Sequence, residues 1–167
     1  MRLLASIALI IFLAIAGESV WAVPNSTDTL RIEVKGTGNG SEARFEPAVA
    51  KVQPGTVIEF TVTEGLHTVT AYHPDNRRPR RIPESVDSFD SGLLKPGESW
   101  LLKIDSDGVY DYFCLPHERM GHAGRIVSGT IKTFPAYENG RIPQAALNTI
   151  NTETKNFLKN QLIPNRK

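Results

Sequence analysis

The sequence predicts an all-β fold, a Greek-key antiparallel β-sandwich followed by one C-terminal amphipathic helix. Three observations carry this reading. Short segments rich in β-branched and aromatic residues recur between residues 30 and 133; turn-forming pairs such as Pro54-Gly55, Pro96-Gly97 and Asp107-Gly108 fall between them; and only the tail beyond Pro143 changes to a helical period. Seven or eight short strands at this spacing imply two packed sheets.

The elements follow in chain order. Met1 and Arg2 precede an apolar run from Leu3 to Ala16, and a polar stretch then ends in Val20-Trp21-Ala22. This pattern predicts a secretory signal peptide over 1–22, cut before Val23, with a cut near Gly17 as the alternative. The run is too short to span a bilayer, and Glu18 interrupts it. Without a cysteine after the cleavage site, lipid anchoring there is excluded, so the mature chain is expected in the periplasm with no membrane insertion. Residues 23–135 form the predicted sandwich domain. Its strands are expected in "LRIEVKG", "RFEPAVAKVQPG", "TVIEFTV", "HTVTAY", "SWLLKID", "GVYDYFC" and "GRIVSGTIKT". The longest interruption, from His73 to about Ser85, reads as a surface loop, and its run Arg77-Arg78-Pro79-Arg80-Arg81 as solvated charge. Residues 136–167 form a helical extension, with a helix from about Pro143 to Leu162. Its apolar stripe of Leu147, Ile150, Phe157, Leu158 and Leu162 is expected against the outside of the sandwich.

Composition excludes several functions. The formal net charge of +1 implies neither nucleic acid nor an anionic membrane as a partner. No nucleophile–base pair or phosphate loop is recognisable, and no catalytic residue is assigned. Trp100, Tyr110, Tyr112 and Phe113 read as core or sheet-face residues, and Asp111 as a solvated strand residue.

The chain has a single cysteine, Cys114, and an exported protein with one thiol cannot close an internal disulfide. The thiol is therefore buried, joined to another chain, or bound to something. In "VYDYFCLPHERMGHAGRIV" it lies within eight positions of His117, Met120 and His122. Cys114 ends a strand and His117 follows three residues later, so one tight loop can aim both side chains at a point. A further imidazole, His67, stands in "GLHTVTAY"; His73 in "AYHPDN" is a weaker candidate. Thiolate with imidazoles suits copper or zinc, and two histidines with one cysteine and a weaker fourth donor describe a mononuclear type 1 copper site. Structural zinc more often takes two or more cysteines in close pairs. A dinuclear sulfur-bridged copper centre would need a second cysteine.

The ordered set "YDYFCLPHERMGHAGRIV", "FEPAVAKVQPGTVIEF" and "HTVT" resembles the cupredoxins, especially the plastocyanin and pseudoazurin branch. The resemblance spans most of residues 30 to 133. It implies a cupredoxin-like β-sandwich binding one copper ion through His67, Cys114 and His117. That branch carries its axial methionine eight residues after the cysteine, where this chain has His122; Met120 lies six after it, the amicyanin spacing. The strand beginning Ala123-Gly124-Arg125-Ile126 places His122 in the axial register, with Met120 the alternative. Thr68 stands where the family usually has an asparagine that bonds across the site, which puts that bond in question. An axial imidazole implies a lower potential than a thioether, a green or otherwise non-blue colour, and sensitivity to pH near the ordinary histidine range of about 6.5.

Three functions follow from such a site. The first is an exported, monomeric electron-transfer protein cycling Cu(I)/Cu(II) with a redox partner protein. The second is a periplasmic copper-tolerance or copper-handling protein with a copper donor or acceptor as partner. The third, a Cu(I)-oxidising enzyme, is disfavoured because four protein ligands leave no open position.

Overall fold

The computed structural model describes residues 29–37 and 42–162, so the predicted signal peptide lies outside the described residues. Alternation of side chains builds the sandwich. In the strand Thr56–Val62 the residues Thr56, Ile58, Phe60 and Val62 point into the core while Val57, Glu59 and Thr61 face outward, as a half-buried strand requires. Eight strands form: β1 (Thr29–Lys35), β2 (Arg44–Glu46), β3 (Val49–Val52), β4 (Thr56–Val62), β5 (Thr70–Ala71), β6 (Ser99–Ile104), β7 (Gly108–Phe113) and β8 (Ala123–Ser128). One sheet has the order β2-β1-β4-β6 and the other β3-β8-β7-β5.

The sandwich is the expected one, but its sheets are mixed where the sequence reading had them antiparallel throughout. The pairs β1–β4 and β3–β8 run parallel. In both pairs the neighbours in space are separated in sequence by other strands, so no hairpin forces them to oppose. The stretch "RFEPAVAKV" becomes two strands in different sheets, β2 on β1 and β3 on β8. The change of sheet falls at Pro47, which has no N–H to give a ladder.

Ile32, Val34, Phe45, Ile58, Phe60, Ile104, Tyr110, Tyr112 and Ile126 fill the space between the sheets. A helix, α1 (Gln144–Leu162), lies on the outer face of the second sheet. Ala146, Leu147 and Ile150 pack there with Ile142, Tyr72, Phe113 and Ala123. This cover explains why Val109 to Phe113 of β7 are buried on both faces. The predicted stripe therefore docks by its first half, Phe157 is half-buried, and Leu158 is exposed. Among the described residues no helix is long and apolar enough to cross a membrane.

The basic run is not simply solvated. Arg81 is buried and donates from Nε to Asp111 Oδ2 at 2.8 Å, while Arg125 reaches both Asp111 oxygens, at 2.6 and 2.9 Å. Asp111, expected at a solvated strand surface, has no exposed area. Further guanidinium donors are taken by the tail: Arg81 Nη1 bonds the Glu138 carbonyl and Asn139 Oδ1, and Arg125 Nη1 bonds Thr154 Oγ1 of α1. Phe134 and Tyr137 stack on the two guanidiniums. Charge pattern in sequence cannot reveal this, because the paired residues lie 30 and 14 positions apart. Removing one member of such a group leaves buried charge uncompensated, at a cost of about 3–5 kcal/mol. Asp111→Ala is expected to lose that much in urea denaturation; a loss below ~1 kcal/mol would mean that solvent reaches the arginines.

Candidate metal centre

Two loops at one end of the sandwich bring the donors together. His67 is held by a two-way backbone pair with Leu94, at 3.1 and 2.8 Å, just before β5. Cys114 follows β7, and its N–H donates to the carbonyl of His122 at 2.9 Å, closing the second loop at its base. Within that loop the His117 N–H donates to Cys114 O and the Met120 N–H to His117 O, both at 3.0 Å. Gly121, at φ +92°, ends the short 3₁₀ turn Glu118–Met120 and turns the chain into β8.

His67, Cys114, His117 and His122 are all buried, and one donor atom from each lies within 4.8 Å of the others. Sγ of Cys114 is 3.5 Å from His67 Nδ1 and 3.4 Å from His117 Nδ1, and the two Nδ1 atoms are 3.1 Å apart. The tautomer of His67 can be deduced. Its Nε2 faces the carbonyls of Glu64 at 2.8 Å and Gly36 at 3.0 Å, which can only accept, so the proton is on Nε2 and Nδ1 offers a bare lone pair to the cluster. Gly65 is needed beside it, because a Cβ there would lie 2.7 Å from Nε2.

The electrostatics agree. Burial lowers the pKa of His117, with the neighbouring His67 ring adding to the effect. Burial, then His67 and His117, pushes His122 down to about 2. Burial raises the Cys114 thiol to about 11 in the metal-free protein. Among the described residues neither ring nitrogen of His122 has a hydrogen-bond partner of good geometry, the Arg44 backbone alone lying near the ring. Buried polar atoms are rarely left unpaired. An orphaned imidazole, a bare Nδ1 and a thiol facing one point are what a thiophilic cation would satisfy, so the residues fit copper.

Met120 is 45% exposed, in the turn two residues before His122, whose ring is fully buried within 4.8 Å of the His67 ring. The fourth donor in the cluster is therefore His122. His73 takes no part: its Nδ1 accepts from the Asp75 N–H at 3.2 Å, and Arg80 engages its other nitrogen. The cross-site bond placed in question by Thr68 does exist. The Leu115 N–H donates to Thr68 Oγ1, which pairs with Thr70 Oγ1, both at 2.8 Å, and Thr70 in turn donates to Asp90 Oδ1 at 3.0 Å. The Thr68 N–H also points at Cys114 Sγ, at 3.4 Å.

Sequence reading missed Asp90 and the pair of Arg78 with Glu118. Glu118, next to His117, is buried and takes Arg78 Nε at 3.0 Å on each oxygen. Glu118 carries only one hint, an acidic residue inside an otherwise neutral ligand loop.

The fold and the donor set together define a mononuclear copper protein of the β-sandwich class. The chain belongs to the copper binding proteins of the plastocyanin/azurin family, whose model matches residues 32–128. It is 30% identical over 133 residues to pseudoazurin of Paracoccus pantotrophus, covering 79% of this chain and 86% of that protein. It is also 30% identical over 114 residues to the chloroplastic plastocyanin of Tetradesmus obliquus, covering 68% and 74%. The crystal structure of pseudoazurin from Methylobacterium extorquens superimposes with a TM-score of 0.58 at 22% identity, over 77% of this chain and 98% of that one, and supports the fold.

The burial of His122 corrects the expectation that it titrates in the ordinary range. With a pKa near 2 folded and about 6.5 unfolded, only the unfolded chain takes up its proton between those values. Metal-free stability is then unaffected by His122 above about pH 6.5 and falls as pH drops below it, by at most about 1.4 kcal/mol per pH unit for this one proton. Urea denaturation of the metal-free protein between pH 7 and pH 4 is expected to show this slope, and His122→Met to flatten it by about one proton's share. An unchanged slope would show that His122 does not carry it.

Proposed function

We propose that the protein is an exported, periplasmic electron carrier in which His67, Cys114, His117 and His122 hold one copper ion. The observation that carries the reading is the convergence of four buried donor atoms within 4.8 Å in a frame already hydrogen-bonded around them. Copper held there supplies a one-electron Cu(I)/Cu(II) couple. The chain's part is to keep the donors still. The carbonyls of Glu64 and Gly36 orient His67, the Thr68 N–H faces the sulfur, and the Thr68–Thr70–Asp90 chain ties the two loops together. A frame fixed in this way reorganises little when charge changes at its centre.

The route to a partner is the end of the molecule that carries the loops. Leu66, Leu93, Leu115 and Met120, which belong to or flank the ligand loops, are exposed. Arg119 beside Met120 and Arg141 across a cleft from it are exposed as well, and neither is in an ion pair among the described residues. An apolar patch with a cationic border suits a redox partner protein with an acidic rim. We assign residues 1–22 to a leader, 23–135 to the copper domain and 136–167 to an extension, and the working protein to a monomer.

Cys114→Ser is expected to abolish the strong visible charge-transfer bands of the copper-loaded protein; bands that survive would overturn a cysteine-centred site. His122→Met is expected to move the spectrum towards blue and raise the potential, because an imidazole favours Cu(II) more than a thioether does. Met120→Leu should leave both nearly unchanged. The reverse result would give the axial position to Met120. The copper-handling alternative is separated by growth: a deletion strain that suffers only in excess copper would replace the carrier reading.

The cationic border has its own test. Arg119→Glu with Arg141→Glu should slow oxidation by anionic ferricyanide several-fold at low salt, speed exchange with a cationic cobalt hexaammine, and lose both effects at high salt. Equal rates for the two probes in both proteins would remove the border from the docking surface.

A further inference from the structure

His122 differs from its three neighbours in how it is held. His67 is oriented by two carbonyls, Cys114 faces an amide, and His117 sits in the turn braced by Glu118 and Arg78. Neither ring nitrogen of His122 makes a hydrogen bond of good geometry among the described residues, the Arg44 backbone alone lying near it. Its position must come from packing and from its own backbone, and both lead to the C-terminal helix.

Gly121, the residue before His122, lies directly under α1: a Cβ at Gly121 would be 2.9 Å from Thr149 Oγ1 and 3.3 Å from the Ala145 carbonyl. Ala123, the residue after it, is 1% exposed and packs in the cluster of Ala146, Leu147 and Ile150. On its other side the His122 ring meets Phe45 at 4.2 Å between centroids. Phe45 in turn lines the groove between β2 and α1, together with Thr149. The helix cannot drift freely, because Thr154 is bonded to Arg125 and through it to Asp111 of β7.

We propose that α1 is a positioning element for the axial donor, acting through Thr149 and Ala146 on the backbone of Gly121 and Ala123. This rests on the reading of His122 as a copper ligand. The small residues at the contact, Gly121, Ala123, Ala145 and Ala146, let the helix approach closely, so added volume there must displace the loop and not a flexible side chain. The placement of His122 is thus set by an element outside the ligand loops.

The test uses the full chain loaded with copper and reads the ratio of the visible charge-transfer bands and the paramagnetic hyperfine splitting. Thr149→Leu and Ala146→Val, two independent ways of enlarging the contact, are expected to change both; Thr149→Val, near in shape to threonine, should restore values close to the parent. Val52→Ala, a core truncation at the opposite end of the second sheet, should lower stability and leave the spectrum unchanged. In a His122→Met background the enlarged contacts should shift the bands much less. Folded Thr149→Leu and Ala146→Val proteins with parental spectra would overturn the proposal, as would an equal shift in the His122→Met background. A His122→Met protein that keeps the parental spectrum would instead overturn the ligand assignment, and the positioning role with it.

Discussion

Four donor atoms crowded around one buried point form an arrangement that needs holding, and the rest of the molecule is organised around it. Two ring nitrogens and a sulfur stand 3.1 to 3.5 Å apart, a buried imidazole with no partner for its nitrogens among the described residues loses its hydration, and a thiol in the same place resists ionisation. Such a cluster persists only when the surrounding backbone has no easier conformation. The two-way pair between His67 and Leu94 and the Cys114–His122 closure supply that restraint from main-chain bonds, which do not depend on metal. A cation would then meet donors that the fold already holds together.

A second layer of restraint is ionic. Asp111 accepts from Arg81 and Arg125 three residues before the thiol, and those arginines are completed by the tail. Buried ion groups of this kind need not add net stability, because desolvating three charges is costly. Their effect is selective: Asp111 accepts two guanidiniums only when the 77–81 segment, β7, β8 and α1 are all in place. The basic run thus works inward, with Arg78 on Glu118, Arg80 on His73 and Arg81 on Asp111, and the cationic border is left to Arg119 and Arg141.

Legibility in the sequence followed the range of the interaction. Every strand segment was visible because alternation is local, and His117, Cys114 and His122 were visible because one loop carries them. His67 stood out only as an available imidazole, since its sequence distance of 47 from Cys114 carries no spacing signal, and the family likeness is what implied it as a ligand. The parallel pairings, the burial of Asp111, the Thr68 substitute for an asparagine bond and the role of Asp90 were not legible. Each joins residues far apart in the chain whose types are ordinary for exposed positions. The pKa of His122 was misjudged for the same reason, since burial by Phe45, His67 and His117 has no local signature.

That burial bears on how His122 could serve as the proposed axial donor. An exposed axial imidazole would compete for protons near neutrality and make the copper coordination a function of pH. Enclosed between Phe45 and the His67 ring, 4.2 and 4.8 Å away, His122 can take a proton only if the pocket opens. Gly121 and Ala123, on either side of it in the chain, are packed against the helix that covers them. In the proposed site a strong, proton-labile donor is thereby shielded from protons, and the packing of α1 against the outer face of the second sheet is the structure proposed to keep it so.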